Sequence, residues 1–245
     1  MNVGMMQPTF MPWLGYFELI YKSDVFITLD DFQFTIQSWQ QRNRLFVNKN
    51  QVDWYTVPVK KTESFLAPLD KAVINESIPW RKKMLKRIRQ NYSKACYFYD
   101  IFQIVEAWLL MEKETLAEQN MLFIKNVCEC LGINREFKKS SDFPSVEKRS
   151  IRVLELLKSC QADQYYCAKG SFGYMLEDAV FPVNGIDVLF QDFQHIPYIQ
   201  VGSSNQFIPS LSIIDALMNI GSEKTFELIK QGTARWLTWD ELRSL

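Results

Sequence analysis

The sequence predicts an α/β fold, a mostly parallel sheet with flanking helices and a helical middle segment. Three observations predict it. Short apolar runs of strand length alternate with helical patterns at both ends of the chain. The first run leads through a turn bracketed by Pro8 and Pro12 into a helix and a second apolar run, the β-turn-α-β opening of a parallel sheet. Between the two ends, a stretch covering 76–132 carries helical periodicity.

Taken in order, residues 2–7 read as the first strand. Leu14 to Lys22 reads as a helix with Leu14, Phe17 and Tyr21 on one face. Val25 to Leu29 is a buried strand that ends in paired carboxylates, Asp30 and Asp31. Phe46-Val47 and Trp54 to Val59 are two further strands around the turn-forming Asn48-Lys-Asn50. Residues 79–91 form a helix rich in cations, from Arg81 to Arg89. Residues 99–131 read as long helix in two pieces, stopped by Gly132. Strands follow at 137–140, 164–167 and 186–190, with a helix from Ser150 to Cys160 and a turn or helix start at Gly170-Ser-Phe-Gly173. Ser212 to Asn219 and Glu223 to Lys230 are two helices, and 235–245 is a short terminal helix with Thr238 as its N-cap. No repeat or linker interrupts the pattern, so residues 1–245 read as a single domain.

Composition narrows the function classes. The chain has 245 residues, 47% of them hydrophobic, which suits a globular protein with a sizeable core. Lys+Arg and Asp+Glu both number 28, so the basic excess of a non-specific DNA binder is missing. No apolar run is long enough to span a membrane, and residues 1–20 lack the basic start of a signal peptide. The five cysteines contain no C-x-x-C pair and read as reduced thiols of a cytoplasmic protein. With a single histidine, His195, no structural zinc is expected. Mg²⁺ can arrive through Asp30 or Asp31 with a phosphate-bearing substrate. No other cofactor is indicated.

Strand ends followed by polar, turn-rich segments are where open α/β sheets place ligands. The expected pocket therefore combines Gln7, residues 12–16, Asp30, Asp31, Gln33, Trp39, Arg42 and Arg44, closed by His195, Tyr198 and Asp215. Strand alternation lets at most one of Asp30 and Asp31 face it, as general base or as a ligand for Mg²⁺ or a hydroxyl. Arg42 and Arg44 share a strand face and suit bidentate recognition of carboxylate or phosphate, or pairing with Asp30 or Asp31, while Asn43 points the other way. The Gln7 amide can bind a carbonyl or sugar hydroxyl. Trp13, Tyr16 and Trp39 offer an apolar or sugar-stacking wall, or core. His195 is a candidate general base. Ser212 and Asp215 share a helix face, with Ser212 either capping that helix or serving His195 as nucleophile. Cys167 is either a thiolate nucleophile or a buried small hydrophobe. The cations of 81–89 form a solvated face or a tRNA or nucleotide contact.

These residues carry a resemblance. Gln7-Pro8, Pro12, Gly15-Tyr-Phe17, Asp24, Asp30-Asp31, Gln33-Phe34, Trp39 and Arg42-Asn-Arg44 resemble the N-terminal signature of the WbqC-like protein family. Tyr92-Ser-Lys-Ala95, Tyr166, Gly170, Tyr198-Ile-Gln200 and Leu211 to Met218 fit its later blocks, so the likeness spans essentially the whole chain. The resemblance implies a bacterial cytoplasmic protein of surface-polysaccharide (O-antigen) synthesis. It further implies transfer of an acyl or aminoacyl group to a nucleotide-linked amino sugar, with nucleotide sugar or activated acyl donor as partner. It leaves the oligomeric state open. The layout also resembles the opening of pantothenate-synthetase-type adenylyltransferases, which hold nucleotide phosphates with histidines in the first turn. The turn Pro12-Trp-Leu-Gly-Tyr16 has none. The alternative is therefore a non-catalytic nucleotide or sugar binding module.

Overall fold

Val3 and Met5 alternate with Gly4 in the first apolar run, which forms β1 (Asn2–Met6) in a computed structural model that describes residues 1–60, 66–204 and 206–244. β1 pairs in parallel with β2 (Val25–Thr28) on one side and with β6 (Gln164–Ala168) on the other; Val3 lies opposite both Val25 and Tyr165. β2 pairs in parallel with β5 (Glu136–Lys139), and β6 with β7 (Asp187–Gln191). β8 (Leu237–Thr238) runs antiparallel along β7, giving the order β5-β2-β1-β6-β7-β8. The five strands predicted for the sheet are its five parallel strands. β8 has two residues, too few to leave a period in the sequence.

The crossover from β1 to β2 is α1 (Leu14–Lys22). β3 (Arg42–Asn48) and β4 (Gln51–Thr56) form a separate antiparallel hairpin, turned at Asn50 with φ 60°. The helical middle is α2 (Trp80–Tyr92), α3 (Phe98–Leu110) and α4 (Leu116–Cys130). The break before α4 falls where Thr115 and Glu118 build a capping box. α5 (Arg149–Ser159) and α6 (Phe172–Asp178) follow. The two predicted helices beyond Ser212 join as α7 (Ile213–Gln231), bent at Gly221. Gly221 has φ 78°, and a Cβ there would lie 2.8 Å from the Tyr97 ring, so only glycine makes this bend without strain. The terminal helix is α8 (Trp239–Arg243), started by the Thr238–Glu241 capping box; Leu245 lies outside the described residues.

Strand alternation divides the core in two. Val3, Met5, Val25 and Ile27 pack with Leu156 and Leu157 of α5 and with Phe190 and Trp239. Phe26 belongs to the other cluster, with Phe17 and Ile20 of α1, Trp108, Phe123 and Leu217. The helical middle is therefore packed into one side of the α/β body. The basic helix α2 is partly structural: Arg81 is buried and donates to Glu76, to the Leu109 carbonyl and to Gln119. Arg87 donates to the Trp54 carbonyl and to Asp53. Lys82, Lys83 and Lys86 are exposed. Among the described residues no helix is long and apolar enough to cross a membrane. The cysteines are free, and burial pushes the Cys167 thiol well above its ordinary range.

Because β2 and β5 lie to one side of β1 while β6 and β7 lie to the other, the winding direction reverses between β1 and β6. The carboxyl ends of the strands at such a reversal are where this architecture binds ligands.

Candidate functional site

A cavity of about 290 Å³ opens at the carboxyl end of β1, lined by Met6, Thr9, Trp13, Tyr16, Trp39, Asn43 and Ser210. Four chain segments meet here: the end of β1 and its loop, the start of α1, the entry to β3, and the turn before α7. Trp13 is the N-cap residue of α1, and its ring folds back over Gly15. A Cβ on Gly15 would meet that ring at 2.2 Å, so the glycine lets the indole form a wall. Asn43 Nδ2 donates to the carbonyls of Phe10 and Met11, at 3.1 and 2.8 Å, and fastens the loop after β1 to β3. Met11 has φ 45°, a conformation these bonds hold in place.

The cavity's polar groups are few. The Tyr16 hydroxyl is not one of them: it is buried without a hydrogen-bond partner toward Cys128 in the core, and burial, with Cys128 adding to it, holds its pKa well above the ordinary value. Arg44 reaches the Ser210 carbonyl at 3.4 Å and lies 5.9 Å above the Trp39 ring. Arg42 stacks 4.1 Å from the Trp54 ring, and Trp54 lies 5.1 Å from Trp39, which is 47% exposed. Among the described residues neither arginine forms an ion pair, and the buried Nε of each has no acceptor. The result is a ladder beside the cavity in the order Arg42, Trp54, Trp39, Arg44, two indoles between two guanidinium groups whose charge has no carboxylate partner among the described residues.

His195 stands at the same margin. Its Nε2 lies 2.9 Å from Ser210 Oγ, and its ring is 5.3 Å from both Trp13 and Phe193. Desolvation lowers its pKa below the ordinary histidine value of 6.5, so the imidazole is neutral at pH 7.

The expected single pocket is thus divided. Tyr16, Trp39 and Asn43 line this cavity, with Arg44 and His195 joined to it through Ser210. Arg42 belongs to the neighbouring ladder. Asp31 and Gln33 line a different cavity of about 420 Å³, together with Pro68, Lys148, Arg149 and Arg152. Gln7 turns its Oε1 to Gln40 Nε2 at 2.8 Å and serves to tie the loop after β1 to residue 40. Tyr198 and Asp215 lie in a buried network: the Asp215 carboxylate accepts from Tyr92, Tyr198 and Gln200, at 2.9, 2.7 and 2.8 Å.

The expectation that Asp30 and Asp31 face opposite ways is corrected for a simple reason. β2 stops at Thr28, so strand alternation has ended before residue 30. Both carboxylates instead meet the hydroxyl of Ser140, beyond the end of β5. Asp30, 5% exposed, also accepts from the amide and hydroxyl of Ser141. The cation paired with Asp31 is Arg152, at 3.1 Å, rather than Arg42 or Arg44. Sequence reasoning missed Arg152, although its place beside Val153 and one turn from Leu156 on an apolar helix face is a signal. It also passed over Ser210 in favour of Ser212, whose hydroxyl caps α7 through the Ile214 amide. Among the described residues no group of three or more potential metal ligands occurs.

Fold and site together define an α/β protein with an aromatic, cation-rimmed cavity at the carboxyl edge of its parallel strands. The chain belongs to the WbqC-like protein family, whose family model matches residues 7–227. It is 30% identical over 224 residues to the uncharacterized protein Rv1507c of Mycobacterium tuberculosis (strain ATCC 25618 / H37Rv), covering 91% of this chain and 95% of that protein. No solved structure matches the chain.

Proposed function

We propose that the protein is a cytoplasmic transferase of bacterial surface-polysaccharide (O-antigen) synthesis that moves an acyl or aminoacyl group onto a nucleotide-linked amino sugar. The observation that carries this reading is the pairing of unpartnered arginine donors and an exposed indole face with a neutral histidine at one cavity. A nucleotide sugar presents flat rings and a diphosphate, and its amine or hydroxyl must lose a proton when it attacks an acyl carbon. The exposed Trp39 offers a face for a ring, while Trp54 carries Arg42 on its own. Arg44, with Arg42 behind it, offers the fork that a phosphate takes. His195 takes the proton. Mg²⁺ would enter with the diphosphate rather than through Asp30 and Asp31, whose oxygens are committed to Ser140, Ser141 and Arg152.

The test is a panel of nucleotide sugars in a thermal-shift assay, since a ligand of the native state raises the melting point. At least one member should do so, and Arg44→Lys should weaken its binding about tenfold, roughly 1.4 kcal/mol, with little loss in the unliganded melting point beyond the long contact to the Ser210 carbonyl. A panel without effect contradicts the reading. Turnover should also depend on pH with a definite sign. The base must be neutral, and burial lowers the His195 pKa. Activity should therefore fall on acidification with a midpoint below pH 6.5, as measured by kcat/KM across buffers.

The second reading is a non-catalytic nucleotide or sugar binding module with a degenerate adenylyltransferase-like fold. The β1-turn-α1-β2 layout favours it, together with a first turn that holds no histidine. The same panel then shifts the melting point, but no acyl donor gives turnover.

A further inference from the structure

We propose that Ser210 is the nucleophile of this protein, activated by His195, so that the acyl group is carried on the Ser210 hydroxyl before it reaches the acceptor. This rests on the transferase reading and adds to it the residue that holds the group in transit.

The geometry around Ser210 is that of a fixed, reactive hydroxyl. Its Oγ is 2.9 Å from His195 Nε2 and lines the aromatic cavity. Ser210 has φ 58°, the left-handed region, which costs a non-glycine residue energy and persists only where neighbours impose it. Three contacts impose it. The Ser212 amide donates to the Arg44 carbonyl at 3.1 Å, the Ile213 amide to the Pro12 carbonyl at 2.8 Å, and Arg44 Nη2 to the Ser210 carbonyl. The turn is therefore pinned to β3 and to the loop after β1, the two segments that build the opposite wall of the cavity.

Among the described residues, His195 is positioned by rings rather than by a carboxylate. It sits against Trp13 and Phe193, which are themselves 4.9 Å apart. With Nδ1 protonated, Nε2 faces the Ser210 hydroxyl as an acceptor. The group beside this turn that can meet the charge developing on an attacked carbonyl oxygen is the Arg44 guanidinium, whose Nη2 lies 3.4 Å from the Ser210 carbonyl. Ser212, two residues on, is spent as the cap of α7 and is not available.

The chemistry balances with an activated ester or thioester as donor. Ser210 Oγ attacks the acyl carbon while its proton passes to His195 Nε2. The bond to the leaving alcohol or thiol breaks, and that group departs with the proton from His195. The acceptor amine or hydroxyl then attacks the Ser210 ester and gives its proton to His195. The carbon–Oγ bond breaks, and the proton returns to Ser210. No oxidant or reductant is required.

The experiment needs no knowledge of the natural donor. The full-length protein is treated with p-nitrophenyl acetate and, separately, with a fluorophosphonate; adducts are located by intact-mass and peptide mass spectrometry. The expected result is one adduct per chain, on Ser210, with none on Ser210→Ala. Its rate should fall about 100-fold or more in His195→Gln, and in wild type it should fall with pH through one ionisation below 6.5. No adduct, adducts scattered over other side chains, or an unchanged rate in His195→Gln overturns the proposal. Wild-type mapping and the His195→Gln rate decide the matter even if Ser210→Ala fails to fold. The nucleotide-sugar panel on the same samples keeps the two claims apart: a melting-point shift without a Ser210 adduct removes the nucleophile and leaves the transferase reading standing.

Discussion

Asp215→Ala is expected to destabilise the protein by about 3–5 kcal/mol. Asp215 is fully buried, at the start of α7, and accepts hydrogen bonds from Tyr92 of α2, from Tyr198 and from Gln200. Burial raises its pKa, and those three donors oppose the rise. Alanine would leave the Tyr92 and Tyr198 hydroxyls without an acceptor in a dry site, each costing about 1–3 kcal/mol before relaxation, and Gln200 Nε2 with the Ile208 carbonyl alone. Asn219, which donates to the Asp215 carbonyl at 2.7 Å, would keep its backbone bond and limit the damage. For a chain of this size the loss lowers the melting point by roughly 10 °C. Asp215→Asn retains an acceptor oxygen and should cost less than half as much. Urea denaturation of the three proteins checks the order. Equal stability of Asp215→Ala and wild type would mean that the network is not formed.

The second large effect is expected at Arg152. Its guanidinium is 5% exposed and donates to Asp31 at 3.1 Å and to the carbonyls of Ser140 and Phe143 at 2.7 and 2.5 Å. It thereby joins α5 to the chain leaving β2 and β5. Arg152→Ala should cost about 3 kcal/mol, because a half-buried carboxylate loses its cation and two carbonyls lose their donor. All three contacts are made by Nη2, and Arg152→Lys keeps the charge but puts a shorter, more strongly hydrated head in its place, so an intermediate loss is expected. Neither change touches the aromatic cavity. Nucleotide-sugar binding measured on the folded fraction should survive both.

The parallel sheet was legible because each of its predicted strands is a short apolar run bounded by a helix or a turn. The caps at Ser212 and Thr238 were legible because each obeys a local rule of a few residues; the capping box at Thr115 obeys one too but was not read. The site was legible only in part, and the dividing line is physical. Tyr16, Trp39, Asn43 and Arg44 come together because they lie within one short crossover and the hairpin after it. Asp31 went elsewhere because β2 ends two residues before Asp30, and the chain then bends toward β5. Tyr198 and Asp215 belong with Tyr92, more than a hundred residues away, and no local pattern encodes that approach. Ser210 was hidden by a nearer rule. Ser212 has the offset of an N-cap and drew attention as the serine of that helix, whereas the residue that meets His195 is set by a left-handed turn that no side-chain pattern marks.

The central claim is that ligand binds between Trp13, Trp39 and Arg44, beside His195 and Ser210. A crystal structure of the protein with a nucleotide sugar from the panel tests it most directly. The account predicts a ring on the Trp39 face, the diphosphate on Arg44, and the acceptor nitrogen or oxygen within about 3.5 Å of His195 Nε2. A nucleotide sugar seated instead in the cavity of Asp31, Lys148 and Arg152, with the aromatic cavity unaltered, would contradict it.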